Sequence, residues 1–274
     1  MSKFGSLASR VAVAVPGIGL FILIALLDYD PLTAGSFAIL ASLSSVESVR
    51  LMGEGRGGPA LYIPATLLTG CAALAVALTD PRIYVVIIFA PGAFLSLIWL
   101  LREGIDGSRR RTGGFTCLTA AAALAFGLLA RLRLDFPSAW VLFIPLLICW
   151  SGDSLAYFAG SAFGRHKMVP GISPGKSWEG LAAGLAGSVA GALVAGSLGA
   201  GMPLLPMVLL GLAGGVAAVA GDLLESSMKR DAGVKDSGSL LAGHGGLLDR
   251  FDSLLAVAPV TWLALAVMTD WGLL

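Results

Sequence analysis

Nine stretches of this 274-residue chain are apolar over a length that would cross a bilayer, and no other feature limits the fold as strongly. A spanning helix needs about 20 mostly apolar residues, because the hydrocarbon core is about 30 Å thick and a helix rises about 1.5 Å per residue. The runs are 11–27, 31–52, 59–79, 82–101, 114–130, 136–158, 178–200, 203–228 and 252–272. They account for a composition that is 57% apolar and only 13% charged. A water-soluble domain carries roughly 25% charged residues and needs them to cover its surface. A soluble enzyme and a disordered chain are therefore excluded. The runs are continuous rather than alternating, which speaks against a β-barrel. The expected fold is an all-α polytopic membrane protein with about nine transmembrane helices.

The basic residues orient it. With the N-terminus in the cytosol, cytosolic segments carry Lys3, Arg10, Arg50, Arg56, Arg102, Arg109, Arg110, Arg111, Arg165, Lys167, Lys176, Lys229, Arg230, Lys235 and Arg250. The opposite side carries only Arg82, Arg131 and Arg133. Positive charge is retained on the cytosolic side during insertion, so this asymmetry predicts a cytosolic N-terminus and a C-terminus on the opposite side. The first run follows Lys3 and Arg10 like a signal peptide. It has no small-residue cleavage site and is followed by further runs, so it is read as an uncleaved helix. The Arg109–Arg111 run is read as a topology anchor at anionic headgroups.

Two features are read as packing. Cys71, Cys117 and Cys149 lie inside apolar runs with no metal-ligand spacing, as small core residues would. Gly180, Gly184, Gly187 and Gly191 have the small-xxx-small spacing that lets helices approach closely. Packing within the chain is the expected use of that stripe, and a homodimer seam the alternative.

Polar chemistry is concentrated in the second half. Residues 1–135 read as scaffold and lipid-facing helices, with Glu47 the one acid set inside a run. It is either a functional acid or a partner for Arg50 or Arg56. Residues 136–274 carry two polar segments on the cytosolic side. One holds Asp153 and the stretch Ser173-Pro174-Gly175-Lys176; the other runs from Gly221 to Asp252. Asp222, Glu225, Ser226 and Lys229 are spaced to share one helix face. Asp222 lies about 10 Å deeper than Lys229 at ~1.5 Å per residue. A carboxylate at that depth costs roughly 2.5–3.5 kcal/mol to insert unless it is neutralised. It therefore holds a cation or pairs with a loop Lys or Arg. The following loop sets His244 between glycines, with Asp249 and Asp252 at the head of the last helix. Carboxylates mixed with Lys and Arg fit a Mg²⁺-bound polyphosphate. Zinc is poorly supported, with no cysteine pair and His166 and His244 as the only histidines. Gly171 to Ser177 imitates a P-loop, but only three residues separate its glycines and no strand is expected before it. Net charge of +1 without a basic domain gives no sign of a nucleic-acid partner.

Ser226-Ser-Met-Lys229-Arg230, then Lys235-Asp236-Ser-Gly238, then His244-Gly245-Gly246-Leu-Leu-Asp249-Arg250-Phe-Asp252 resembles the signature of the phosphatidate cytidylyltransferases. Asp153-x-x-Ala-Tyr157 and Ser173-Pro174-x-Lys176 resemble the same family. Residues 150–252 carry the likeness, and the first 130 match only as apolar spans. Ala242 stands where the family usually has proline, and Gly175 where many members have a second lysine. The resemblance implies that CTP and phosphatidic acid give CDP-diacylglycerol and pyrophosphate, with Mg²⁺ and a second cation if two are used. It places the protein among membrane lipids in a bacterial inner membrane, with its site facing the cytoplasm. On that reading Asp222 and Asp249 hold metal. Lys229, Arg230, Lys235 and Arg250 share the phosphates, and Asp236 is a further ligand or a partner for its basic neighbours. Ser173 and Lys176 reach a phosphate; His244 bonds a phosphate or a carboxylate or is part of a purely structural turn; and Asp153 completes the metal site, binds the ribose or makes a helix-packing hydrogen bond to Tyr157. Glu179 and Glu225 are expected as partners for lysines or arginines. A CTP-dependent lipid kinase is the nearer rival. A transporter is the farther one, because its site would lie near the midplane between repeated halves.

Overall fold

A computed structural model describes residues 19, 21–26, 30–53, 59–79, 108–238 and 245–274. They are mostly helical and fall into two compact units. The first unit reaches to Ala130 and includes Asp231–Phe251; the second comprises Arg131–Arg230 and Asp252–Leu274.

The first unit is built on α1 (Asp30–Gly53), α2 (Pro59–Leu78) and most of α3 (Ser108–Asp135). Small residues bring these helices together. A Cβ on Gly127 of α3 would lie 2.7 Å from the Ala73 carbonyl oxygen of α2, so that backbone contact needs glycine. Ser42 of α1 donates to the Thr66 carbonyl of α2 at 3.0 Å. Hydroxyls inside the helices are satisfied locally: Ser44 and Ser48 donate to carbonyls four residues back, as Thr119 does in α3. That is the economical arrangement where water is absent. Phe37, Phe115 and Phe126 are fully buried. Phe126 meets Phe251 edge to face at 5.4 Å, which ties α3 to the head of the last helix.

The second unit holds a 3₁₀ turn (Ala139–Leu142), α4 (Phe143–Phe163), strands β1 (Lys167–Val169) and β2 (Ser173–Ser177), and α5 (Trp178–Ala192). A π-helical turn (Leu193–Gly199) continues α5, and α6 (Leu204–Asp231) and α7 (Leu248–Asp270) follow. The glycine stripe of α5 packs within the chain against α4. A Cβ on Gly187 would lie 2.5 Å from the Ser151 carbonyl oxygen, and one on Gly184 3.2 Å from that of Gly152. Ser151 donates across the seam to the Gly187 carbonyl at 2.7 Å, and Ser188 to the Ile148 carbonyl at 3.0 Å. Gly211, Gly214 and Gly215 give α6 the same close fit to α5 and α4.

Six helices among the described residues are long and apolar enough to span a membrane, and Tyr62–Leu78 is a shorter apolar helix. Seven of the nine apolar runs thus fall on helices. Run 82–101 and most of 11–27 lie outside the described residues. Two expectations need correction. The fold is not wholly α: β1 and β2 pair antiparallel, Lys167 opposite Ser177 and Val169 opposite Ser173. The strands use the polar, Pro-Gly-containing connection, which has no apolar face to bury as a helix. And only Cys149 belongs to the core; Cys71 and Cys117 are exposed on their helices.

Candidate functional site

The β-hairpin delivers one polar segment to the other. Pro170-Gly171 turns the chain, with the Ile172 amide donating to the Val169 carbonyl at 3.1 Å. The Trp178 amide donates to the His166 carbonyl at 3.0 Å and closes the hairpin base on α5. Ser177 caps α5 by accepting from the Gly180 amide at 3.1 Å. Glu179, in the first turn, accepts from the His166 amide and contacts His166 Nδ1 at 2.6 Å. Its recorded partner is thus a histidine, not the lysine or arginine expected.

Lys176 consequently projects from β2 onto α6. Its Nζ lies 2.7 Å from Asp222 Oδ2, and the two side chains are 21% and 28% exposed. Ser226, one turn on, donates to Asp222 Oδ1 at 3.1 Å. The pair is the internal salt bridge foreseen as one reading of Asp222. Asp153 on α4 lies within electrostatic reach of Asp222 and Lys176. Asp252 on α7 lies within reach of Asp222, Asp153 and Lys229. Lys229 and Glu225 pair along α6 at 3.4 Å, both buried. Arg230 Nε donates to the Ile172 carbonyl at 3.4 Å, fastening the end of α6 to the hairpin. Ser173, half-buried at the start of β2, lies on the same hairpin. Four elements therefore bring charged groups to one end of the second unit.

The loop before α7 belongs to the first unit. Asp249 Oδ2 accepts from the Ser237 amide at 2.9 Å, the Ser237 hydroxyl at 3.0 Å and the Gly246 amide at 2.8 Å. Gly245 has a φ of +81°, which leaves the Gly246 amide free to turn inward. Glu47 reaches the same loop from α1. Its Oε1 accepts from the Leu247 amide at 2.8 Å and its Oε2 from the Leu248 amide at 2.8 Å; Oε2 also lies 3.1 Å from the Ser237 hydroxyl, whose single proton it shares with Asp249 Oδ2. Lys235, Asp236 and Arg250 are exposed around these anchored positions. His244 lies outside the described residues. Asp222 and Asp249 fall in different units.

Among the described residues no three of His, Cys, Asp and Glu converge to hold a metal ion. The donor set nevertheless fits Mg²⁺. That ion is usually bound by one or two carboxylates, with water and substrate phosphates completing the octahedron, rather than by an all-protein cage. Asp222 supplies hard oxygen beside a cation that a phosphate would accept as partner. A cleft of about 710 Å³ in the second unit, lined by Arg131, Asp135 and Trp262 among others, contains none of the candidate residues. It opens near Leu204, the far end of α6, about 27 Å from Asp222 at ~1.5 Å per residue.

The comparisons with known proteins agree with the residues. Residues 8–268 match the profile described as Cytidylyltransferase family. The chain belongs to the cytidylyltransferase family. A phosphatidate cytidylyltransferase of Mycobacterium bovis is 32% identical over 279 residues, covering 94% of this chain and 89% of the relative. Those of Haemophilus influenzae and Brucella abortus are 41% and 42% identical, over 47% and 52% of this chain. In these two the match spans about half the relative's length, 49% and 53%.

Sequence reasoning did not find the role of Glu47. Its signal was present, a lone acid inside an apolar run, but its partners lie about 200 residues away and no spacing rule connects them. The His166–Glu179 contact was equally hidden, since it depends on the hairpin.

Proposed function

We propose that the protein transfers the cytidylyl group of CTP to phosphatidic acid, releasing pyrophosphate and forming CDP-diacylglycerol for phospholipid biosynthesis. The Lys176–Asp222 ion pair carries this reading: it joins the two polar segments in which the family signature lies. The membrane arrangement belongs to the same proposal. Nine spans, a cytosolic N-terminus and an external C-terminus in a bacterial inner membrane put every signature motif at the cytoplasmic face. There a lipid phosphate and a soluble nucleotide can meet.

A phosphate oxygen of the lipid attacks the α-phosphorus of CTP; the new P–O bond forms as the bond to the β-phosphate bridge breaks and pyrophosphate leaves. A phosphomonoester has a second pKa of about 6, so the nucleophile is largely ionised at neutral pH and no strong base is needed. The work left to the protein is alignment and charge neutralisation. Asp222 and Asp249 would hold Mg²⁺, which supplies electrophilic stabilisation to the phosphates when bound. Lys176 neutralises Asp222, and its ammonium is a cation that a substrate phosphate could accept as partner. Lys229, Arg230, Lys235 and Arg250 neutralise the triphosphate and the lipid phosphate. Ser173 and His244 donate to phosphate oxygens, Asp236 orients its basic neighbours, and Asp153 serves the ribose or the cation.

The test uses purified protein in detergent with phosphatidic acid, labelled CTP and Mg²⁺, beside Asp222→Asn and Asp249→Asn. Mg²⁺-dependent CDP-lipid and pyrophosphate are expected from the parent and from neither variant. CDP together with a phosphorylated alcohol would identify a kinase instead, and folded protein yielding no CDP-lipid would overturn the proposal.

A further inference from the structure

Glu47 is a buried acid that the proposed chemistry does not use. It lies in α1, among helices otherwise poor in charge, and is 1% exposed. A carboxylate there is costly unless its oxygens are satisfied. All three recorded donors to it come from the signature region: Ser237, Leu247 and Leu248. Two of them are amides at the head of α7, where the first N–H groups of a helix lack partners within it. A negative charge also suits that end of a helix. The adjoining glycines make room for the carboxylate. A Cβ on Gly238 would lie 2.7 Å from Oε1, and one on Gly246 2.6 Å from Oε2. Ser237 is buried, whereas Lys235 and Asp236 immediately before it are exposed.

We infer that Glu47 is a positioning residue: from α1 it anchors Ser237 and the first turn of α7, and so sets where Lys235, Asp236 and Arg250 stand. The anchoring itself follows from the hydrogen bonds. Its consequence for turnover rests on the proposed cytidylyl transfer, in which those side chains meet phosphates. Glutamine is an informative substitute because both oxygens of Glu47 accept from backbone N–H groups. A Gln side chain must turn its NH₂ toward one of those donors in either flip, so Glu47→Gln keeps the volume and loses the clamp. Glu47→Asp keeps charge and both acceptors on a shorter stem.

The experiment combines amide hydrogen exchange with steady-state kinetics on the full-length protein in detergent. For Glu47→Gln, exchange at the amides of Leu247 and Leu248 should quicken at least tenfold while α5 and α6 stay as protected as in the parent. Turnover per folded molecule should fall at least tenfold with the KM for CTP within threefold, and Glu47→Asp should recover part of it. Unchanged loop exchange, unchanged turnover, or loss of protection throughout the protein would each overturn the positioning role. Should Glu47→Gln fail to fold, Ser237→Ala removes the hydroxyl that Glu47 Oε2 and Asp249 Oδ2 share and leaves the Leu247 and Leu248 amides on Glu47. It should give the same pattern at smaller size, and parental exchange and turnover there would overturn the role. A parent that makes no CDP-lipid would refute the proposed function, while the exchange measurement would still decide whether Glu47 holds the loop.

Discussion

Removing the Lys176 ammonium tests the ion pair on which the site is built. In Lys176→Met a flexible chain of similar length remains, but Asp222 Oδ2 loses the cation that stood 2.7 Å away. Two unit charges about 4 Å apart interact by about 1 kcal/mol in water and about 4 kcal/mol at an effective dielectric constant of 20. Exposed pairs contribute about 0.2–1 kcal/mol, and stripping one partner from a buried pair costs about 3–5 kcal/mol. Exposures of 21% and 28% place this pair between those limits, so solvent screening brings the figure to about 2 kcal/mol. That is roughly a 30-fold change in an unfolding equilibrium. The assay is a double-mutant cycle with Lys176→Met, Asp222→Asn and the combined variant, read by unfolding in mixed micelles. The combined variant should be more stable than the summed effects of the single changes predict, by about 2 kcal/mol. Additivity within about 0.5 kcal/mol would refute the reasoning, because it would mean the two charges do not interact in the folded protein.

Gly187→Val should lower the melting temperature, because its Cβ falls 2.5 Å from the Ser151 carbonyl oxygen and overpacking costs about 1–3 kcal/mol. Gly171→Ala, with nothing within 4 Å of its Cβ, should melt like the parent. Gly245→Ala forces a side chain into a φ of +81° at a cost of about 1–2 kcal/mol, and should reduce CDP-lipid formation by loosening the Asp249 loop. On a background lacking Cys71, Cys117 and Cys149, a membrane-impermeant maleimide should label Ser138→Cys in intact cells and Ser173→Cys only after permeabilisation. The reverse pattern would overturn the proposed orientation.

What could be read from the sequence followed from constraints local along the chain. Apolar length located seven helices, and the one-turn spacing of Asp222, Glu225, Ser226 and Lys229 put them on one face of α6, where Ser226 meets Asp222 and Lys229 meets Glu225. The glycine stripe announced a close helix contact, and its partner proved to be α4 of the same chain. Two features escaped because their determinants are distant or lie in backbone geometry. The hairpin has no apolar alternation to declare it, since β2 is Ser-Pro-Gly-Lys-Ser, and its strands are visible only once Lys167 is set opposite Ser177. Without it, Lys176 could be called a phosphate contact but not the partner of Asp222. Glu47 escaped for a related reason. A lone acid in an apolar run is recognisable as unusual, but which donors satisfy it depends on how α1 meets the loop before α7. The side chains proposed to meet phosphates can be read from the signature, whereas Glu47, which holds the loop at Ser237, Leu247 and Leu248, comes from α1, outside the signature altogether.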